Sequence, residues 1–98
     1  MGSPGNAFEE VGRYLTGLKF RLIEDVYDAQ AFGSRYVVYS RGTQDVRLIW
    51  DGKEEWLLLE LGNAATDDWT ELRRERVGRN TATPENLATL TTGLEQVK

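Results

Sequence analysis

The chain has 98 residues, of which 40% are hydrophobic and 29% charged, enough for one small globular domain and no second core. It contains no Cys and no His, which excludes disulfides, thiolate chemistry, His-based catalytic pairs and the usual zinc ligands. Its formal net charge of −4 repels nucleic acid and anionic lipid and makes a basic partner the complementary expectation, although ordinary solubility is the better explanation of such a charge.

Met1 to Asn6 lacks a basic region followed by an apolar core, so it does not read as a secretory signal. Residues 1–5 are read as disordered or as a cloning remnant. No apolar run approaches the roughly 20 residues that span a bilayer, so no membrane role is expected and a cytoplasmic site is the default. Asn6 and Glu9 have the capping-box spacing, and Phe8, Val11, Tyr14, Leu15 and Leu18 recur at helical spacing. These predict a first helix of about 11 residues ended by Gly17.

Leu18 to Leu22 alternates apolar and basic residues, the pattern of a half-buried strand that is expected to continue to about Tyr27. Asp28 to Ser34 reads as a loop. Arg35 to Arg41 is rich in β-branched and aromatic residues and predicts a second strand. Gly42-Thr43 turns into a third strand, Asp45 to Trp50. Asp51-Gly52 then leads into a fourth, Glu55 to Leu61, because an Asp-Gly pair accepts the positive φ of a tight hairpin. Gly62-Asn63 is expected to close the sheet.

Thr66 is placed as the cap of a second helix, with Asp67 and Asp68 in its first turn and Arg73, Arg74, Arg76 and Arg79 toward its end. Its inner stripe is Trp69, Leu72, Arg76 and Val77. Thr83-Pro84-Glu85 starts a third, which Leu87, Leu90, Leu94 and Val97 make amphipathic. The expected fold is a single α+β domain over 1–98, α-β-β-β-β-α-α. It is a four-stranded antiparallel meander sheet with one N-terminal and two C-terminal helices.

Period-two patterning sorts the middle strands into two faces. Val37, Tyr39, Val46, Leu48, Trp50, Leu57, Leu59 and Leu61 form a core face. Tyr36, Val38, Arg47, Ile49, Trp56, Leu58 and Glu60 form the other, too apolar for a solvated surface. Three arrangements explain that second face: a covering helix, a homodimer with stacked sheets, or a docked partner protein. The candidate partner-binding residues are Trp56, Ile49, Leu58, Tyr36 and Arg47, rimmed by Asp51, Glu54 and Glu55 at the hairpin turn.

The acidic clusters Glu24-Asp25 with Asp28, Asp51 with Glu54-Glu55, and Asp67-Asp68 lack calcium-loop spacing and read as solvated surface. The Arg73 to Arg79 stretch is neutralised by acids on the same segment and lacks the interleaved aromatics of a single-strand binder. No catalytic residue, metal ligand or cofactor is assigned, and no nucleic-acid partner is expected. An enzyme would have to rely on carboxylates, Tyr or Lys.

Tyr27-Asp28-Ala29-Gln30-Ala31-Phe32-Gly33, the hydrophobic strand after it, Val46 to Gly52, the Leu-rich strand and Trp69-x-x-Leu72 together resemble a known group. They are similar to small uncharacterised bacterial α+β proteins, some of them immunity proteins to polymorphic toxins. The similarity covers roughly half of the chain and consists mostly of fold-forming residues. It implies a non-enzymatic, stoichiometric inhibitor that binds and blocks a toxin, such as a basic toxin domain. No functional residue carries over from it. The alternatives are a homodimeric structural or accessory protein and a small carboxylate enzyme.

Overall fold

A computed structural model describes residues 5–77 and 82–97. Its elements are α1 (Gly5–Gly17), β1 (Arg21–Asp28), β2 (Ser34–Arg41), β3 (Gln44–Asp51), β4 (Trp56–Asn63), β5 (Asp68–Arg76) and α2 (Pro84–Leu94). The strands form one antiparallel sheet in the order β1-β2-β3-β4-β5. The α+β class and the meander hold, but the expected four strands and two C-terminal helices do not. The segment after Thr66 is a fifth strand, and a single helix follows it.

Helix propensity misleads at that segment. Glu, Leu and Arg favour a helix by only tenths of a kcal/mol per residue, which tertiary pairing readily outweighs. Without β5, the Leu-rich β4 would be an open, aggregation-prone edge. Instead Trp56 pairs with Arg76, Leu58 with Arg74 and Gly62 with Trp69. A bulge opposite Leu59 and Glu60 leaves Leu72 outside the ladder, so no clean alternation marks the strand in sequence.

Gly62-Asn63 therefore does not close the sheet but leads into the β4–β5 turn. There Asp45 accepts the Ala64 N–H at 2.7 Å, and Asn63 accepts that of Ala65 at 2.9 Å. Thr66, expected as a helix cap, donates its hydroxyl to the Asn63 carbonyl. Arg79 lies outside the described residues.

Both helices pack on one face of the sheet. Phe8, Val11 and Leu15 of α1 and Leu90 and Leu94 of α2 share one core with Val37, Val46, Leu48, Trp50, Leu57 and Leu59. Tyr39 and Leu61 pack at its margin, so every residue expected on the core face lies there.

Helix α1 ends at Gly17 as expected, but the left-handed residue that closes it is Lys19, at φ 73°. Phe20 N–H bonds to Leu15 and Lys19 N–H to Thr16, the paired bonds of a Schellman end, and buried Phe20 belongs to the same core as Leu15. Residues 1–4 of the expected tail lie outside the described residues, whereas Gly5 already begins α1. Asn6 is consequently within the helix rather than capping it. Its side chain donates to the Ala82 carbonyl and accepts the Ala82 N–H, tying the start of α1 to the segment that enters α2. Thr83 caps α2 as expected, in a capping box completed by Asn86.

The Asp51-Gly52 signal finds the right strands for another physical reason. Asp51 pairs with Trp56 across a four-residue loop, and the positive φ belongs to Glu55, at 64°. Asp51 Oδ1 accepts the N–H groups of Lys53 and Glu54. Gly52 is required by close approach, because a Cβ there would run into the Phe32 carbonyl. Gly52→Ala is expected to cost roughly 1–3 kcal/mol, as overpacking does, by prising the β1–β2 loop away. Urea unfolding checks this; a neutral result would mean that the loop does not rest on Gly52.

Candidate functional site: the open sheet face

The face opposite the helices carries no helix among the described residues. Tyr36, Arg47, Ile49, Trp56, Leu58 and Glu60 all lie on it, half-buried. The expectation of a covering helix is therefore not met by α1 or α2. Val38, at 2% exposure, is the one fully buried member, and its cross-strand neighbours are Glu24 and Arg47.

The fifth strand adds Trp69, Arg74 and Arg76 to this face, residues assigned beforehand to a helix. Arg47 sits at its centre. Its Nε and Nη2 both reach Glu60 Oε1 at 2.7 Å, and its guanidinium lies 4.2 Å from the centre of the Trp69 ring. The Trp69 indole N–H donates to Asp67, whose φ of 57° bends the preceding turn. Arg74 and Arg76 bring their guanidinium groups to 5.1 and 5.2 Å from the Trp56 ring. Arg74 is also paired with Glu71 at 2.8 Å, which raises the guanidinium pKa and lowers that of the Glu71 carboxyl.

On the β1 side the Tyr36 hydroxyl donates to Glu24 at 3.0 Å. That bond holds the phenol pKa above its ordinary value of 10.0, since ionisation would destroy the donor. Tyr39, on the core face, is raised as well, first by burial and then by nearby Asp25. Because both folded-state values exceed the unfolded ones, the stability they contribute is complete below about pH 10 and is lost as pH climbs through the folded values. A phenolate titration should show late ionisation of Tyr36 and Tyr39, and Tyr36→Phe should remove one late step. An unchanged titration would break the Glu24 assignment.

One member of each of two acidic clusters organises a turn. Asp51 binds two loop N–H groups, and Asp28 Oδ1 accepts those of Gln30 and Ala31. An Asp opening a loop was the available signal for both. Glu54 and Glu55 stand in the turn that leads to Trp56, where Glu54 is exposed and Glu55 half-buried. The expected acidic rim is thus adjacent to Trp56, but the other flank of that ring is basic.

A groove of about 290 Å³ lies on the helix side, between α1 and β1, and carries Glu9 and Asp25. Asp25 is committed to Arg35 through two hydrogen bonds of 2.9 and 3.1 Å. Among the described residues no group of acids is arranged to hold a metal ion, and no buried side-chain polar atom lacks a partner. No helix of these residues is long and apolar enough to cross a membrane. Comparison of the chain with family models, with curated proteins and with solved structures returned no match.

Proposed function

We propose that the chain is a non-enzymatic protein-binding module that docks a partner on its open sheet face. The observation that carries this reading is the concentration of Trp56, Trp69, Tyr36 and three arginines on a face that neither helix covers. Trp, Tyr and Arg are the residues that dominate interface energetics, because each combines a large apolar area with a directed polar group. Ile49 and Leu58 extend the apolar centre. The charges around it are mixed: acids from the Asp51–Glu55 turn on one flank of Trp56, Arg74 and Arg76 on the other.

In its specific form the partner is a toxin or effector, and the module is an immunity-type inhibitor that blocks it stoichiometrically. The resemblance noted in the sequence supports that form. Co-expression with the product of the neighbouring upstream gene tests it. The wild-type chain should co-purify with that product in a fixed ratio, and Trp56→Glu should abolish the complex while the variant stays folded. Unfolding of Trp56→Glu, or unimpaired binding by it, would overturn the reading.

A further inference from the structure

The two edges of the sheet are finished in opposite ways. β5 is crowded with Asp68, Glu71, Arg73, Arg74, Glu75 and Arg76, and α2 packs against it. Such charges blunt an edge against further pairing. β1 lacks that protection. Among the described residues, every exposed large hydrophobic lies on β1 or in the loop after it: Leu22, Ile23, Val26, Tyr27 and Phe32. A bulge at Ile23 interrupts its ladder, leaving Glu24 to Asp28 as an unbroken stretch along the outside. Alternate residues of such an edge direct their N–H and C=O groups away from the sheet.

A cleft of about 230 Å³ opens beside this stretch, with Val26, Ala31, Tyr36 and Ile49 among its walls. It falls below the ~300–1,000 Å³ typical of small-molecule pockets, and its size suits one apolar side chain. Glu24, Asp25 and Asp28 supply the charge. Arg35 neutralises Asp25, but Tyr36 and the loop N–H groups that engage Glu24 and Asp28 are neutral, so those two carboxylates remain available to a cation.

We propose that β1 is a docking edge for an extended segment of a partner protein in which one apolar residue has basic residues two positions before and two after it, because Glu24, Val26 and Asp28 share the open face of the strand. This segment pairs with Glu24–Asp28 and seats one apolar side chain in the cleft. Backbone pairing gives affinity in this mode of recognition and the side-chain pocket gives specificity. A second copy of the chain fits the edge less well. Two-fold antiparallel pairing centred on Glu24 sets that residue against itself, and pairing centred on Val26 sets Glu24 against Asp28. Centring on Asp25 brings Asp28 opposite Leu22, at the bulge.

The probe is a blocked synthetic peptide with the core Lys-Thr-Val-Thr-Lys, which puts both Lys and the Val on one face, added to the isotope-labelled chain and followed by amide exchange and chemical shifts. Amides within Glu24–Asp28 should gain protection, with shifts at Val26, Tyr36 and Ile49. The same peptide with Glu for Lys should bind about tenfold more weakly or worse, as should the Lys peptide to Val26→Lys. No protection at millimolar peptide, or equal binding of the acidic peptide, overturns the proposal. So does dimerisation through β1 in sedimentation. Trp56→Glu should bind the peptide like the wild type, so failure of this edge and failure of the open-face reading are separable.

Discussion

Trp50→Ala is expected to cost about 3–5 kcal/mol, against a total of roughly 5–15 kcal/mol for a domain of this size. Trp50 is 1% exposed and is the largest of the fully buried side chains. It stands near the end of β3, opposite Arg35 on one side and Leu57 on the other, within the core that both helices share. A fall of 3–5 kcal/mol implies a melting temperature lower by at least ~12 °C. Trp56 and Trp69, half-exposed on the open face, should cost only about 1 kcal/mol each when cut to alanine. Urea unfolding monitored by circular dichroism gives all three values. Equal losses for the three would contradict the division of the sheet into a packed and an open face.

That division was legible in the sequence because the period of a strand is two and does not depend on knowing the neighbours. Tyr36 to Tyr39, Val46 to Trp50 and Trp56 to Leu61 fall on the expected faces throughout. The fifth strand was not legible. Its helix-favouring residues and its end charges argue for a helix, and the bulge at Leu72 removes the alternation that would argue against one. Only the need of β4 for a partner decides the matter, and that need is a property of the sheet rather than of the segment. Misplacing one strand hid half of the candidate site. Trp69, Arg74 and Arg76 reach the open face solely through their pairing with Gly62, Leu58 and Trp56.

The edge at β1 was obscured for a related reason. The alternation of apolar and basic residues from Leu18 to Leu22 implies a strand with one buried and one wet face, yet every residue of β1 is exposed. Helix α1 touches β1 and β2 without covering β1, so the helix-side residues Leu22 and Tyr27 stay exposed. Pattern alone specifies which side chains share a face; it does not specify how far a helix reaches across it.

Arg47→Met carries the second large effect, about 3 kcal/mol, near the lower bound for breaking a buried ion pair. Methionine keeps the apolar stem beside Trp69 but withdraws both nitrogens from Glu60 Oε1, stranding a carboxylate whose side chain is only 14% exposed. The penalty arises from that stranded charge more than from any net worth of the pair. Glu60→Leu alone leaves the Arg47 guanidinium, at 24% exposure, stacked on Trp69 and partly hydrated, so it should cost less. In the double variant, Arg47→Met with Glu60→Leu, both charges are gone and two apolar chains fill their space, so most of the loss should return. A double-mutant cycle by urea unfolding measures the coupling. Additive losses would mean that Arg47 and Glu60 act independently and that the centre of the open face is not held together by their pairing. A strong coupling, with the stack on Trp69 retained, would establish a rigid Arg47–Glu60–Trp69 centre on this face, prepared before any partner arrives.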